Sequence, residues 1–172
     1  MSQQWFLDQA RLGNMYHANG LSVTLSALST TATGLILSNP FGSGKNLVVA
    51  EMRFQPSTAP AGASVVYMAV SPAVSQTAVT HTTPAVIHNA LTKGSNVDPG
   101  VAKADTAATT VGTPVMLRAL GSVVAASSIS PASYVDYTNG QIIVSPGMSI
   151  QFAYTTTAAV GHCSLTWVEV DA

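Results

Sequence analysis

Apolar and polar residues alternate with a period of two along most of this chain. Leu21, Val23, Leu25 and Ala27 interleave with Ser22, Thr24, Ser26 and Leu28, the spacing of a strand with one buried face. GLILS (34–38) is a short apolar strand stopped by Asn39-Pro40. After the glycine turn of residues 41–46, LVVAEMRF (47–54) forms another, so 34–54 reads as a hairpin or a corner. In that second strand Leu47, Val49, Glu51 and Arg53 share one face. Val48, Ala50, Met52 and Phe54 share the other, which is the better core face. Strands are also expected at 64–71, 114–120, 148–154 and 162–170, the last with Cys163, Leu165, Trp167 and Glu169 on one side. Asn139-Gly140 stands between the apolar runs 133–137 and 141–144 and is the strongest hairpin signal in the chain.

Two stretches depart from this pattern. Residues 1–20 read as an N-terminal arm, with one or two helical turns from Gln4 to Arg11. Trp5, Phe6, Leu7 and Leu12 make it apolar. So short a helix is marginal without a docking surface, either the chain's own body or a neighbour. These four residues are the candidate contact with another subunit or a larger assembly. Residues from about 72 to 113 are rich in Thr, Ala, Ser, Pro and Gly around one apolar piece, 85–91, which fits a helix or a strand. So long an excursion is uncommon unless it carries a role; a second contact or an exposed tip is expected.

About eight strands separated by turns, with no sustained helical period, predict an all-β protein. The expected form is a two-sheet antiparallel sandwich, most simply a jelly roll, spanning 21–172 behind the arm at 1–20.

Composition adds one fact. The 172 residues hold six Lys/Arg, seven Asp/Glu and 47% hydrophobic residues, a charged fraction of 8% where about 25% is usual. Six scattered cations make no phosphate track, which argues against direct nucleic-acid binding. No apolar run is long enough for a membrane helix, and Met1–Trp5 lacks the basic start of a signal peptide, so synthesis in a cytosol is expected. The single cysteine, Cys163, is expected to be a buried thiol. A chain this poor in charge keeps surface out of water by packing on copies of itself or on a larger assembly.

Candidate chemistry is thin. Gly42-Ser43-Gly44-Lys45 lacks the flanking residues of a phosphate loop and reads as a turn with a solvated lysine. His17, His81, His88 and His162 are too dispersed for a metal site; a shared oligomer axis is the setting in which they would matter. Glu51 and Glu169 stand on strands and could neighbour each other, although pairing with Arg53 or Arg118 is the simpler expectation. Trp167, Tyr134, Tyr137, Tyr154 and Phe152 could form a sugar-stacking platform, against a default of core packing. No catalytic set, metal or cofactor is expected, and the chain reads as non-enzymatic.

Several segments together resemble a family of small tailed-bacteriophage virion proteins: TGLILSNPFGSGKNLVVAEMRF (33–54), APAGA (59–63), GVAKADTAATTVGTPVMLRAL (100–120), QIIVSPGMSIQFAYTTTAA (141–159) and SLTWVEV (164–170). The resemblance implies a jelly-roll capsid decoration, or cement, protein: a homo-oligomer, most simply a homotrimer, seated on the major capsid protein at the virion surface. A tail, collar or fibre-base component is the first alternative and a carbohydrate-binding module the second.

Overall fold

The computed structural model describes residues 2–58, 62–71, 79–91, 100–110, 112–123, 133–155 and 159–172. Among these residues one helix, α1 (Gln3–Leu12), precedes eleven strands: β1 (Met15–Leu25), β2 (Thr31–Ser38), β3 (Lys45–Pro56), β4 (Ser64–Ser71), β5 (Val79–Pro84), β6 (Ile87–Asn89), β7 (Lys103–Thr110), β8 (Val115–Val123), β9 (Tyr134–Val144), β10 (Ser149–Tyr154) and β11 (Ala159–Asp171). They build an antiparallel sandwich of two sheets, ordered β6-β1-β11-β3-β9 and β5-β7-β2-β10-β4-β8. The expected fold class is what forms.

Eight of these strands nest. β1 pairs with β11, β2 with β10, β3 with β9 and β4 with β8, so the chain is one long folded ribbon rolled into two four-stranded sheets. That is the jelly-roll arrangement. β5, β6 and β7 are inserted between β4 and β8 and widen both sheets at the β1/β2 side, through β6 on β1 and β7 on β2. The described part of the 72–113 excursion is therefore sheet rather than tip, and its apolar piece is a strand; residues 72–78, 92–99 and 111 lie outside the described residues.

Three expectations need correction. Strand β1 starts at Met15, so 15–20 belongs to the sandwich and only α1 stands apart as an arm. In β1 the register slips between Gly20 and Val23, where Ser22 has φ 54, and this turns Leu21 out to 74% exposure. Asn139-Gly140 makes no hairpin. Both flanks of the pair run along β3, Tyr134–Tyr137 against Glu51–Phe54 and Ile142–Val144 against Leu47–Val49. Residues 138–141 bulge between them, using the positive φ of Asn139 and Gly140. On β3 the bulge leaves Ala50 unpaired and reverses parity: Leu47 and Val49 point to the core before it, Met52 and Phe54 after it.

Residues 34–54 form a corner, since β2 and β3 lie in different sheets. Buried Asn39 holds it: its amide donates to the carbonyls of Lys45 and Val144 at 2.7 and 2.8 Å and accepts from Ser43 Oγ at 2.7 Å. Its backbone joins Met148 and Gly147 of the neighbouring turn, where Pro146 and Gly147 (φ 84) complete a type II geometry closed by Met148 N–H to Ser145 O. Between the sheets Trp167, Tyr154, Phe54 and Phe152 fill the core, with Trp167 stacked on Tyr16 and Phe54 edge-on to Tyr154.

Candidate interaction surfaces

Helix α1 starts at Ser2, whose hydroxyl accepts from Trp5 N–H at 3.3 Å, and ends at left-handed Gly13. It rests on β1 and β11 of its own chain, yet none of its residues is buried. Trp5 and Phe6 meet edge to face and are half-buried, whereas Leu7 and Leu12 face outward. The four residues picked from the sequence therefore divide between the chain's own surface and an open one.

A second apolar surface lies where the two sheets end side by side. β8 and β9 are edge strands, one of each sheet. Val115, Met116 and Leu117 on β8 and Ile143 on β9 are each about half exposed or more. Between the edges a cavity of about 220 Å³ is lined by Val70, Leu117, Ile142, Ile143, Met148 and Ile150. Arg118 spans the two strands, with Nε 2.9 Å from Asp136 Oδ2 and Nη1 donating to Gln141 Oε1 at 3.2 Å. Sequence reading placed 114–120 in a strand but missed this surface, because the same alternation suits a core strand and an open edge.

Most of the few charges among the described residues are spent in pairs. Arg11 meets Asp8, Lys45 meets Asp171, Arg53 meets Glu51, and Arg118 meets Asp136. Lys45 is thus an ion-pair partner at the start of β3, and the glycine turn before it leads into a strand. Glu169 is buried, and its carboxylate accepts the backbone N–H groups of Val101 and Ala102 at 3.0 Å, pinning the excursion's return to β11. Glu51 takes Arg53 instead, so the two glutamates do different work.

Two histidines are cross-strand neighbours and the other two stand apart. His81 Nδ1 sits 2.5 Å from buried Asp105 Oδ2, His162 accepts Ser22 N–H, and His17 faces His88 across the β1–β6 ladder. Among the described residues no three His, Cys, Asp or Glu side chains converge as a metal centre would require. Cys163 is a free, buried thiol whose pKa burial pushes up to about 12. The sugar-stacking platform does not form: Trp167, Tyr154 and Phe152 lie in the core, Tyr134 is half-buried, and only Tyr137 presents an exposed ring.

On the outer face of the first sheet, His17, Thr166, Glu51 and Tyr137 stand in one cross-strand row on β1, β11, β3 and β9. His17 Nδ1 lies 2.9 Å from Thr166 Oγ1. Burial lowers the His17 pKa, opposed by the Glu51 carboxylate and aided by His88. The irregularities of the β3–β11 and β3–β9 ladders coincide at this row, and Thr138 Oγ1 donates to Val49 O to cap the broken ladder. The result is a shallow cavity of about 260 Å³ in the middle of the sheet, overhung by Gln3 and Phe6 of α1.

The chain matches no protein-family model, and no curated protein matches it.

Proposed function

We propose that this chain is a non-enzymatic structural protein of a bacteriophage virion, a capsid decoration protein that stabilises the head by binding its outer surface as an oligomer, most simply a trimer. The observation that carries the reading is the β8/β9 edge. An open sheet edge with apolar side chains invites pairing with another chain, and natural monomers guard such edges with charge. Here the one strong cation on the edge, Arg118, is turned to Asp136 of the same molecule. A second copy of this chain is the occupant proposed for the edge. With that edge spent on subunit contact, the exposed side of α1, Leu7 and Leu12, is left for the major capsid protein. Weak contacts of this kind gain strength by repetition over a lattice.

Two measurements test this. Light scattering after gel filtration is expected to give an oligomer for the native chain and a monomer for Leu117→Asp with Ile143→Asp; a native monomer would refute the edge assignment. Cryo-microscopy of virions is expected to place the protein on the capsid exterior. Density at the tail, collar or fibre base would favour the alternative structural role. Deleting residues 1–13 is expected to lower capsid occupancy while the β-sheet circular dichroism persists.

A further inference from the structure

The cavity on the outer face of the first sheet is costly to build. Strand β3 breaks its ladders to both neighbours, β11 and β9, at one level, leaving Ala50 without a partner in either ladder. Bulges of this kind re-aim side chains next to functional sites. What they aim here is chemically specific. The row from His17 to Tyr137 crosses four strands, about 14 Å, and presents imidazole, hydroxyl, carboxylate and phenol side by side. Asn139 of the bulge and Gln3 of α1 add two amides, and Phe6 adds a second ring beside Tyr137.

The charge state narrows the ligand. Glu51 disfavours an anion, and it already carries Arg53, whose Nε and Nη2 lie 3.1 and 2.9 Å from Oε1, so it offers little to a free cation. The lowered His17 pKa keeps that ring uncharged near neutral pH. An apolar ligand would shut these polar groups off from water without offering them a hydrogen bond. What remains is a neutral molecule with a dense array of hydroxyl groups and one apolar face to lay on a ring. The cavity is below the usual small-molecule range of about 300–1,000 Å³, which suits one sugar ring, and its open side lets a longer glycan continue outward.

We propose that this bulge-built cavity binds the terminal ring of a neutral saccharide, stacked on Tyr137 and hydrogen-bonded by Glu51, Asn139 and Gln3. The residues differ from the aromatic platform suggested by the sequence, of which only Tyr137 takes part. The site does not depend on the capsid reading, and the isolated protein suffices for its test.

Saturation-transfer NMR with glucose, galactose, mannose and N-acetylglucosamine, each at about 10 mM to reach the weak affinities of single rings, is expected to show transfer to at least one sugar. Tyr137→Ala is expected to weaken that binding about tenfold, and Glu51→Gln to weaken it measurably. Both positions are solvent-facing enough for the fold to survive, which the circular dichroism spectrum checks. A printed glycan array extends the search to chains ending in the same ring. No transfer from any of the four sugars together with no array signal would overturn the proposal. So would signal confined to sulfated or sialylated glycans, or binding unchanged in Tyr137→Ala.

Discussion

The contact between Gly100 and Glu169 allows a quantitative test of what holds the inserted strands to the sandwich. Gly100 has φ 57, and a Cβ built on it would stand 2.5 Å from Glu169 Oε1 and 2.7 Å from its Cδ. Gly100→Ala thus carries two costs. The left-handed backbone costs an L-residue about 1–2 kcal/mol. The methyl also displaces the carboxylate that accepts the Val101 and Ala102 N–H groups, and losing one hydrogen bond to a charged group costs about 1.5–3 kcal/mol. The sum is roughly 2.5–5 kcal/mol. In a Glu169→Ala background the carboxylate is gone, so Gly100→Ala retains only the backbone strain, about 1–2 kcal/mol. Urea unfolding of the native chain, both single variants and the double variant, at one protein concentration, is expected to give a coupling of about 1.5–3 kcal/mol. Additive single effects would refute the view that Glu169 and Gly100 form one latch. Hydrogen exchange gives the local reading: with the latch broken, β7 and β5 amides should lose protection before those of β3 and β11.

Three further outcomes follow from single side chains. Tyr154 Oη is buried without a hydrogen-bond partner among the described residues, so Tyr154→Phe is expected to leave stability unchanged or raise it by about 1 kcal/mol, read as the urea midpoint; a loss above about 1 kcal/mol would reveal a missed partner. The folded-state pKa of His17 lies below its unfolded value of 6.5, so the unfolded chain takes up the proton first. Stability contributed by the neutral ring is therefore present above pH 6.5 and falls as pH drops through 6.5 toward the folded value; His17→Gln should flatten that part of the pH–stability curve. Cys163, its pKa pushed up to about 12, should resist Ellman's reagent at pH 8 in the native protein and react fully in urea.

The elements most legible in the sequence were those where one periodicity runs unbroken. β10 and β11 fall where alternation placed them, and Cys163, Leu165 and Trp167 point inward as read. Reading failed wherever a bulge resets parity. Ala50 turns one strand face into two half-faces, and Leu21 is thrown outward by the slip at Ser22. Asn139-Gly140 shows why this was not visible locally. The dipeptide supplies two residues of positive φ, and the same geometry closes a hairpin or absorbs extra residues within a strand. Which one occurs depends on whether the flanks find each other or share a third strand, here β3. That is a long-range fact with no local signature.

The same limit governs the functional surfaces, and it gives the scarcity of charge a location. Thr and Ser outer faces, paired ions and the open β8/β9 edge leave the sandwich electrically quiet on the sides where neighbours can approach. Polar groups are instead concentrated at the bulge row, where His17, Thr166, Glu51 and Tyr137 come from four strands separated by up to 149 residues in sequence. No spacing motif could have joined them, because the jelly roll's nested pairing sets β1 beside β11 and β3 beside β9. This hydrogen-bonding chemistry sits at a defect in the sheet's ladders. The two roles need not compete, since the edge and the bulge row use different residues: disrupting Leu117 and Ile143 should abolish assembly without touching saccharide binding, and Tyr137→Ala should do the reverse.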